Sequence, residues 1–275
     1  MRLEFGYGCP VMRSETERFG VRLSRSWLLG ALFGATGALA LAACSASPTL
    51  DLSVADPAPN AYPIHGVDVS YYQGAIDWPA VQANGTTFAY IKATEGGDRF
   101  DKRFSENWEG ARDAGVKRGA YHFYYFCRPV EEQISWFEEH VPVDPSALPP
   151  ALDMEWNAQS PTCHLRPPRD KILADMQIFL DELERHYGKR PVIYSSVDFH
   201  RDVLAGSFDD YPFWLRSVKG FPAKKYGDRR WHIWQYTESG SLPGVSGNID
   251  KNAFAGTHAD WTKFADGKLD ARNWP

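Results

Sequence analysis

The chain has 275 residues, 43% of them hydrophobic and 14% aromatic, with 10 Trp and 13 Tyr. That is enough apolar surface for one large domain or two small ones. The formal net charge of −5 gives no electrostatic basis for binding nucleic acid.

The N-terminus reads as a targeting segment. Arg22 and Arg25 form a basic flank, Trp27 to Ala43 is an apolar run rich in small residues, and Cys44 follows. This is the pattern of a secretory signal, and the run is too short for a comfortable membrane span. The ending Leu41-Ala42-Ala43-Cys44 resembles the lipobox of bacterial lipoproteins, in which the cysteine is lipidated. An ordinary signal peptide cut nearby is the alternative. Residues 1–20 precede the flank without signal character, and Met12 is a second candidate start. Residues 45–62, rich in Pro, Ala, Ser and Asp, read as a flexible tether. The expected organisation is an extension and signal peptide over 1–43, lipidated Cys44 and tether over 44–62, a domain over 63–256, and a peripheral tail over 257–275.

Within the domain, strands are expected over 64–70, 86–92, 117–126, 148–156, 190–195, 213–217, 231–237 and 246–252, from alternating apolar patterns bounded by turn residues. Helices are expected over 78–81, 102–114, 131–140, 169–187 and 197–204. Asp77 reads as an N-cap with Pro79 in the first turn, and Gly115 and Gly188 as terminators. The longest helix is expected to keep Ile172, Leu173, Met176, Phe179, Leu180, Leu183 and Tyr187 on one face. The early alternation of strand and helix implies a parallel α/β fold. About eight strands suit an irregular, flattened (β/α) TIM-like barrel, irregular because its last three strands lack full helices between them.

In such a barrel the site lies at the C-terminal ends of the strands. Asp68, Glu95, Asp153, Glu155 and Asp250 are all expected at or just past those ends. Asp153 and Glu155 are one residue apart, so on a strand they project from one face while Met154 packs behind. Two carboxyls side by side do not both ionise cheaply, and one is expected to hold its proton near neutral pH, as a general acid must. An exposed acidic pair at a loop edge is the plain alternative. So is a structural role for Asp68, as a loop cap or paired with Lys92 or Arg118. His65, His122 and His232 read as satisfied buried histidines. No metal spacing of Cys and His is present, and no cofactor is expected. With Cys9 removed and Cys44 lipidated, Cys127 and Cys163 remain. They follow strands at the same end of the domain and are expected to form a disulfide in an exported, oxidising setting.

The segments His65-Gly-Val-Asp68-Val-Ser70, Phe88-Ala-Tyr-Ile-Lys-Ala-Thr-Glu95, Gly119-Ala-Tyr-His-Phe123, Leu152-Asp153-Met-Glu155, Pro191-Val-Ile-Tyr194-Ser, Trp214-Leu, Trp234-Gln-Tyr236-Thr and Gly247-Asn-Ile-Asp250 occur in one order across 65–254. Together they resemble the family 25 glycoside hydrolases, the lysozyme-type N-acetylmuramidases. The resemblance implies cleavage of the β-1,4 bond between N-acetylmuramic acid and N-acetylglucosamine in peptidoglycan by a monomer without a cofactor. It implies Glu155 as general acid, Asp153 as its partner, and Asp68 and Asp250 as the other two acids. Tyr124 or Tyr125, Tyr194, Trp214 and Trp234, with Glu95, are implied as substrate-binding residues. After Trp214-Leu215 the family pattern has Ala, whereas here Arg216-Ser217 follows. Aromatic richness suits sugar stacking as well as a filled core. The other readings are a peptidoglycan-binding lipoprotein that does not cut, and a hydrolase of chitin-like polymers. The chitin-like reading is disfavoured because the two further aspartates that chitinases carry upstream are absent before Asp153.

Overall fold

A computed structural model describes residues 56–274. Cys44, the signal segment and most of the tether lie outside the described residues. In chain order the elements are β1 Ile64–Val69, α1 Trp78–Ala83, β2 Phe88–Glu95, β3 Arg99–Phe100, α2 Phe104–Asp113, β4 Lys117–Phe123, α3 Val130–His140, β5 Ala151–Met154, α4 Arg169–Tyr187, β6 Val192–Ser195, α5 Val197–Phe199, β7 Phe213–Arg216, α6 Ala223–Tyr226, β8 Ile233–Gly240, β9 Ile249–Phe254 and α7 His258–Ala265.

The strands run in the order β1-β9-β8-β7-β6-β5-β4-β2, and pairing of β1 with β2 closes them into an eight-stranded barrel, with β3 attached to the edge of β2. All neighbours in the ring are parallel except around β9, which runs antiparallel to both β8 and β1. The expected irregular (β/α) barrel is the observed architecture. Its irregularity falls late in the chain, where α5 and α6 are short and no helix separates β8 from β9. The strand limits shift from those the pattern suggests: β2, β8 and β9 start and end later, whereas β4 and β5 stop earlier. The stretch around Asp153 is extended only over β5, because Pro149 and Pro150 have no N–H to give a ladder.

Strand parity divides the side chains. Phe88 and Tyr90 of β2 share the barrel interior with Ile64, Ala151, Val192, Trp214, Ile233 and Phe254. Ala89, Ile91 and Ala93 face the helices with Val67, Leu152, Met154 and Phe179. The interior fits because small residues oppose large ones. Gly66 sits beside Phe88 and Gly119 beside Tyr90, and a Cβ on either glycine meets the ring at 2.5 Å. The barrel floor is built by the segment expected to be a peripheral tail. Trp261 lies 5.0 Å from Phe88, ring centre to ring centre, and Phe264 and Trp274 pack on Phe254. Thr257 and Asp260 form a capping box that starts α7, and Lys189 donates hydrogen bonds to the carbonyls of Pro145, Ala147 and Ala265. The segment expected to be peripheral therefore supplies Trp261, Phe264, Ala265 and Trp274 to the barrel core while its other side chains stay largely exposed.

Candidate active site

The same parity that fills the interior decides what reaches the mouth. Asp68, Lys92, Tyr121, Asp153, Tyr194 and Gln235 continue the inward rows of their strands, and with Glu155 and Asp250 they line an open cleft of about 1190 Å³. Glu155 sits one residue past β5. Asp250 reaches the mouth by a different route from the one expected. It lies at the start of β9, not at a strand end, and the antiparallel direction of β9 places it opposite Asp68 in the register.

Asp68 is buried and its carboxylate is held by three donated hydrogen bonds. Gln235 Nε2 reaches both oxygens at 3.1 and 3.0 Å, and Asn252 Nδ2 reaches one at 2.7 Å. Neither Lys92 nor Arg118 pairs with it, since Lys92 binds Glu95 at 2.7 Å and Arg118 binds Asp144 at 2.8 Å. Gln235 is the organiser of this corner, because its Oε1 also accepts from the Tyr194 hydroxyl at 3.0 Å. Burial pushes the Asp68 carboxyl up, and the Asn252 and Gln235 hydrogen bonds hold it back. Asp250 is pushed up to about 8, first by burial and then by the charge of Asp68.

Asp153 and Glu155 make the second pair. Burial, and after it the charge of Glu155, lifts Asp153 well above the carboxylate range. Its Oδ1 has no hydrogen-bond partner. Glu155 is pushed up to about 7 by burial, with the nearby Arg216 guanidinium opposing the shift. In each pair burial and the neighbouring carboxyl together favour retention of a proton toward neutral pH. That combination is what acid-catalysed transfer at a C–O bond requires.

The substrate-binding candidates divide by parity. Tyr125 and Tyr194 line the cleft. The Tyr125 hydroxyl contacts Ser160 and, at 2.7 Å, Thr162. Glu95 is also at the cleft, tied to Lys92 and Arg99. Trp214 belongs to the cleft floor rather than a wall. It is buried, its ring stacks 4.9 Å from Tyr90, and its Nε1 donates to Asn252 at 2.7 Å. Two assignments are corrected. Tyr124 turns outward into the helix-side core, its hydroxyl directed at Asp175. Trp234 is also on the outer side, packed with Tyr62, Trp231 and Phe221, and it donates to Ser217 O at 2.9 Å. In both cases the neighbouring residue, Tyr125 or Gln235, takes the inward position. Gln235 and Asn252 were not singled out from the sequence, although counting alternate positions from Ile233 and from Phe254 reaches them.

Cys127 and Cys163 form the expected disulfide. It joins the loop after β4 to the loop after β5, and Asn157 adds hydrogen bonds to Phe126 N and Tyr124 O across the same seam. His122 is buried and satisfied by Thr94 and Gln133, and burial lowers it to about 3. His232 is buried and likewise lowered to about 3, but only its Nδ1 has a partner, accepting from Phe213 N. His65 is half-buried rather than buried. Among the described residues no cluster of His, Cys, Asp and Glu has metal-holding geometry.

Comparison with known proteins agrees with this geometry. Residues 67–245 match the family model for glycosyl hydrolases family 25. The protein YegX of Escherichia coli is 36% identical over 214 residues, 76% of each chain. Lysozyme M1 of Streptomyces globisporus is 34% identical over 212 residues, covering 71% of this chain and 69% of its own. The structure of a family 25 glycosyl hydrolase from Bacillus anthracis superposes with a TM-score of 0.69 at 35% identity, covering 75% of this chain and 95% of that one. With four acids at the mouth of a barrel of this topology, the chain belongs to glycosyl hydrolases family 25 and is a glycoside hydrolase of the lysozyme type.

Proposed function

We propose that this protein is a peptidoglycan hydrolase that cuts the β-1,4 bond between N-acetylmuramic acid and N-acetylglucosamine. The observation that carries the reading is Glu155, a half-buried carboxyl pushed up to about 7 beside the buried carboxyl of Asp153 in an open cleft. The names of relatives agree: the protein from Chalaropsis, 29% identical, is an N,O-diacetylmuramidase.

Glu155 gives its proton to the leaving glycosidic oxygen as the C–O bond breaks. Asp153 turns its unpartnered Oδ1 to the N–H of the substrate's N-acetyl group, whose carbonyl oxygen attacks the anomeric carbon. Water then opens the cyclic intermediate, with Glu155 taking back a proton. Asp68, charged and held by Gln235 and Asn252, stabilises the positive character of the sugar ring, and Asp250 shares its proton with Asp68. Tyr125, Tyr194 and Glu95 line the substrate path.

The test is turbidity loss of purified peptidoglycan, with new reducing ends identified by mass spectrometry after borohydride reduction. Muramitol ends that disappear in Glu155→Gln are expected. Retained binding without release by the parent protein overturns the reading in favour of a non-cutting peptidoglycan-binding lipoprotein. A first product of inverted anomeric form overturns the substrate-assisted route and assigns water activation to Asp68 or Asp250.

We also propose that the chain is exported, lipidated on Cys44 and held through a tether over 44–62. The basic flank, apolar run and Leu41-Ala42-Ala43-Cys44 support it. Labelling with a radioactive fatty acid, lost in Cys44→Ser, is the expected result. Equal labelling of both proteins refutes it.

A further inference from the structure

On the rim of the cleft, beyond the acids, stands a feature that the chemistry does not use. Tyr71 and Tyr72 follow β1 and line the cleft. Their rings lie 4.1 Å apart, tilted by 32°. Tyr72 is 75% exposed, more than any other large hydrophobic residue described. An exposed aromatic ring on a loop ordinarily samples several rotamers, yet this loop is tightly held. Ser70 Oγ accepts from Tyr72 N, Gln73 Oε1 accepts from Ser70 N at 2.9 Å, and Asp101 Oδ2 accepts from Tyr71 N at 2.9 Å. Gln73 Nε2 reaches across to Asn248 O on the loop before β9. Beneath the pair, Lys102 Nζ lies 4.9 Å from the Tyr71 ring centre. The neighbouring Tyr72 phenol, with burial as the lesser cause, pushes the Tyr71 hydroxyl up to about 12.

We propose that Tyr71 and Tyr72 form a sugar-stacking shelf, a further subsite that seats a pyranose ring of the glycan away from the bond being cut. This rests on the reading of the cleft as a glycan site. One face of an N-acetylhexosamine ring is a row of C–H bonds, and the electron-rich face of an aromatic ring is its natural partner. Tyr72 presents its face to solvent at the cleft edge, and Tyr71 braces it from behind. A fixed shelf loses little conformational freedom when sugar binds, so its contact area converts to affinity more fully than that of a mobile side chain. The shelf contributes binding and not chemistry. Its effect should fall on long substrates and vanish on short ones.

The test is titration calorimetry on the Glu155→Gln protein, which holds substrate without turnover. The probes are a peptidoglycan hexasaccharide of alternating N-acetylglucosamine and N-acetylmuramic acid, and the corresponding disaccharide. Adding Tyr72→Ala is expected to weaken hexasaccharide binding about three- to ten-fold, as loss of one aromatic stack does, and to leave disaccharide binding unchanged. Tyr72→Trp is expected to restore it, whereas Tyr72→Leu, apolar but without a ring face, is not. Ile178→Ala, which removes an exposed apolar side chain on α4, serves as the control. Equal hexasaccharide affinity with and without Tyr72→Ala overturns the shelf while the glycan reading stands. Failure of the Glu155→Gln protein to bind either probe overturns both.

Discussion

Replacing Glu155 by Gln should stabilise the protein, and only at high pH. Burial raises the Glu155 carboxyl from 4.5 to about 7. Between those values the folded protein binds more protons than the unfolded chain, so stability falls as pH rises through the window. It is complete near pH 4 and lost by pH 8. The shift of about 2.5 units corresponds to about 3 kcal/mol at 1.36 kcal/mol per unit. Glu155 is half-buried at the edge of an open cleft, so solvent screening makes this figure an upper bound. Glutamine has nearly the same shape and never ionises, so the variant escapes the cost of burying the charge. For a domain of this size about 3 kcal/mol moves Tm by about 6–12 °C. The assay is thermal unfolding of both proteins at pH 4 and pH 8, taking the difference of the two Tm gaps. Any packing defect from the glutamine is common to both pH values and cancels. A gap that does not grow between pH 4 and pH 8 refutes the claim that Glu155 is held protonated by its surroundings.

Three further outcomes follow from the same contacts. Gln235→Leu removes two hydrogen bonds from Asp68 and strands the Tyr194 hydroxyl. Charge-assisted bonds of this kind contribute about 1.5–3 kcal/mol, so the acidic limb of the pH–activity profile should rise by about one to two units, and an unmoved limb contradicts the placement of Asp68. Replacing Cys127 and Cys163 by Ser opens a loop of 36 residues and should cost about 4 kcal/mol by chain entropy, read from guanidinium unfolding; an unchanged midpoint denies the cross-link a stabilising part. Tyr125→Phe should raise KM by loosening the Ser160–Thr162 wall, whereas Tyr124→Phe and Trp234→Phe should leave it unchanged, and a raised KM in either outward variant contradicts the parity assignment.

How much was legible depended on whether a residue's neighbours carried the information. Asp68, Asp153 and Glu155 sit in short apolar runs that announce strands, and the order of strands and helices announces a barrel, so their convergence could be reasoned out. Asp250 was located for a partly wrong reason, because nothing local to Gly247-Asn248 says that β9 runs backwards. Tyr124 and Trp234 were misplaced because each lies in an aromatic run where both faces of the strand are filled with rings, and composition alone does not set the register. Gln235, between Trp234 and Tyr236, has in the sequence only the look of a polar break in a hydrophobic strand. It is in fact the inward residue, kept polar by Asp68. The tail carries few large apolar residues among many polar ones, a weak signal in the sequence, yet Trp261, Phe264 and Trp274 close the floor.

The closing of the ring by β9 has a consequence for when the molecule becomes active. Asp68 lies on the first strand of the barrel, while its hydrogen-bond donor Asn252, 184 residues away, comes from the last. The chain entropy lost in bringing residues of such separation together is offset only once the contact is made. Until β9 docks between β1 and β8, Asp68 has no Asn252 and no Asp250, and the mouth of the barrel is open along one side. Chains cut short before β9 therefore carry Asp68, Asp153 and Glu155 but lack both Asp250 and Asn252, so the last strand completes the acid set and the support of Asp68.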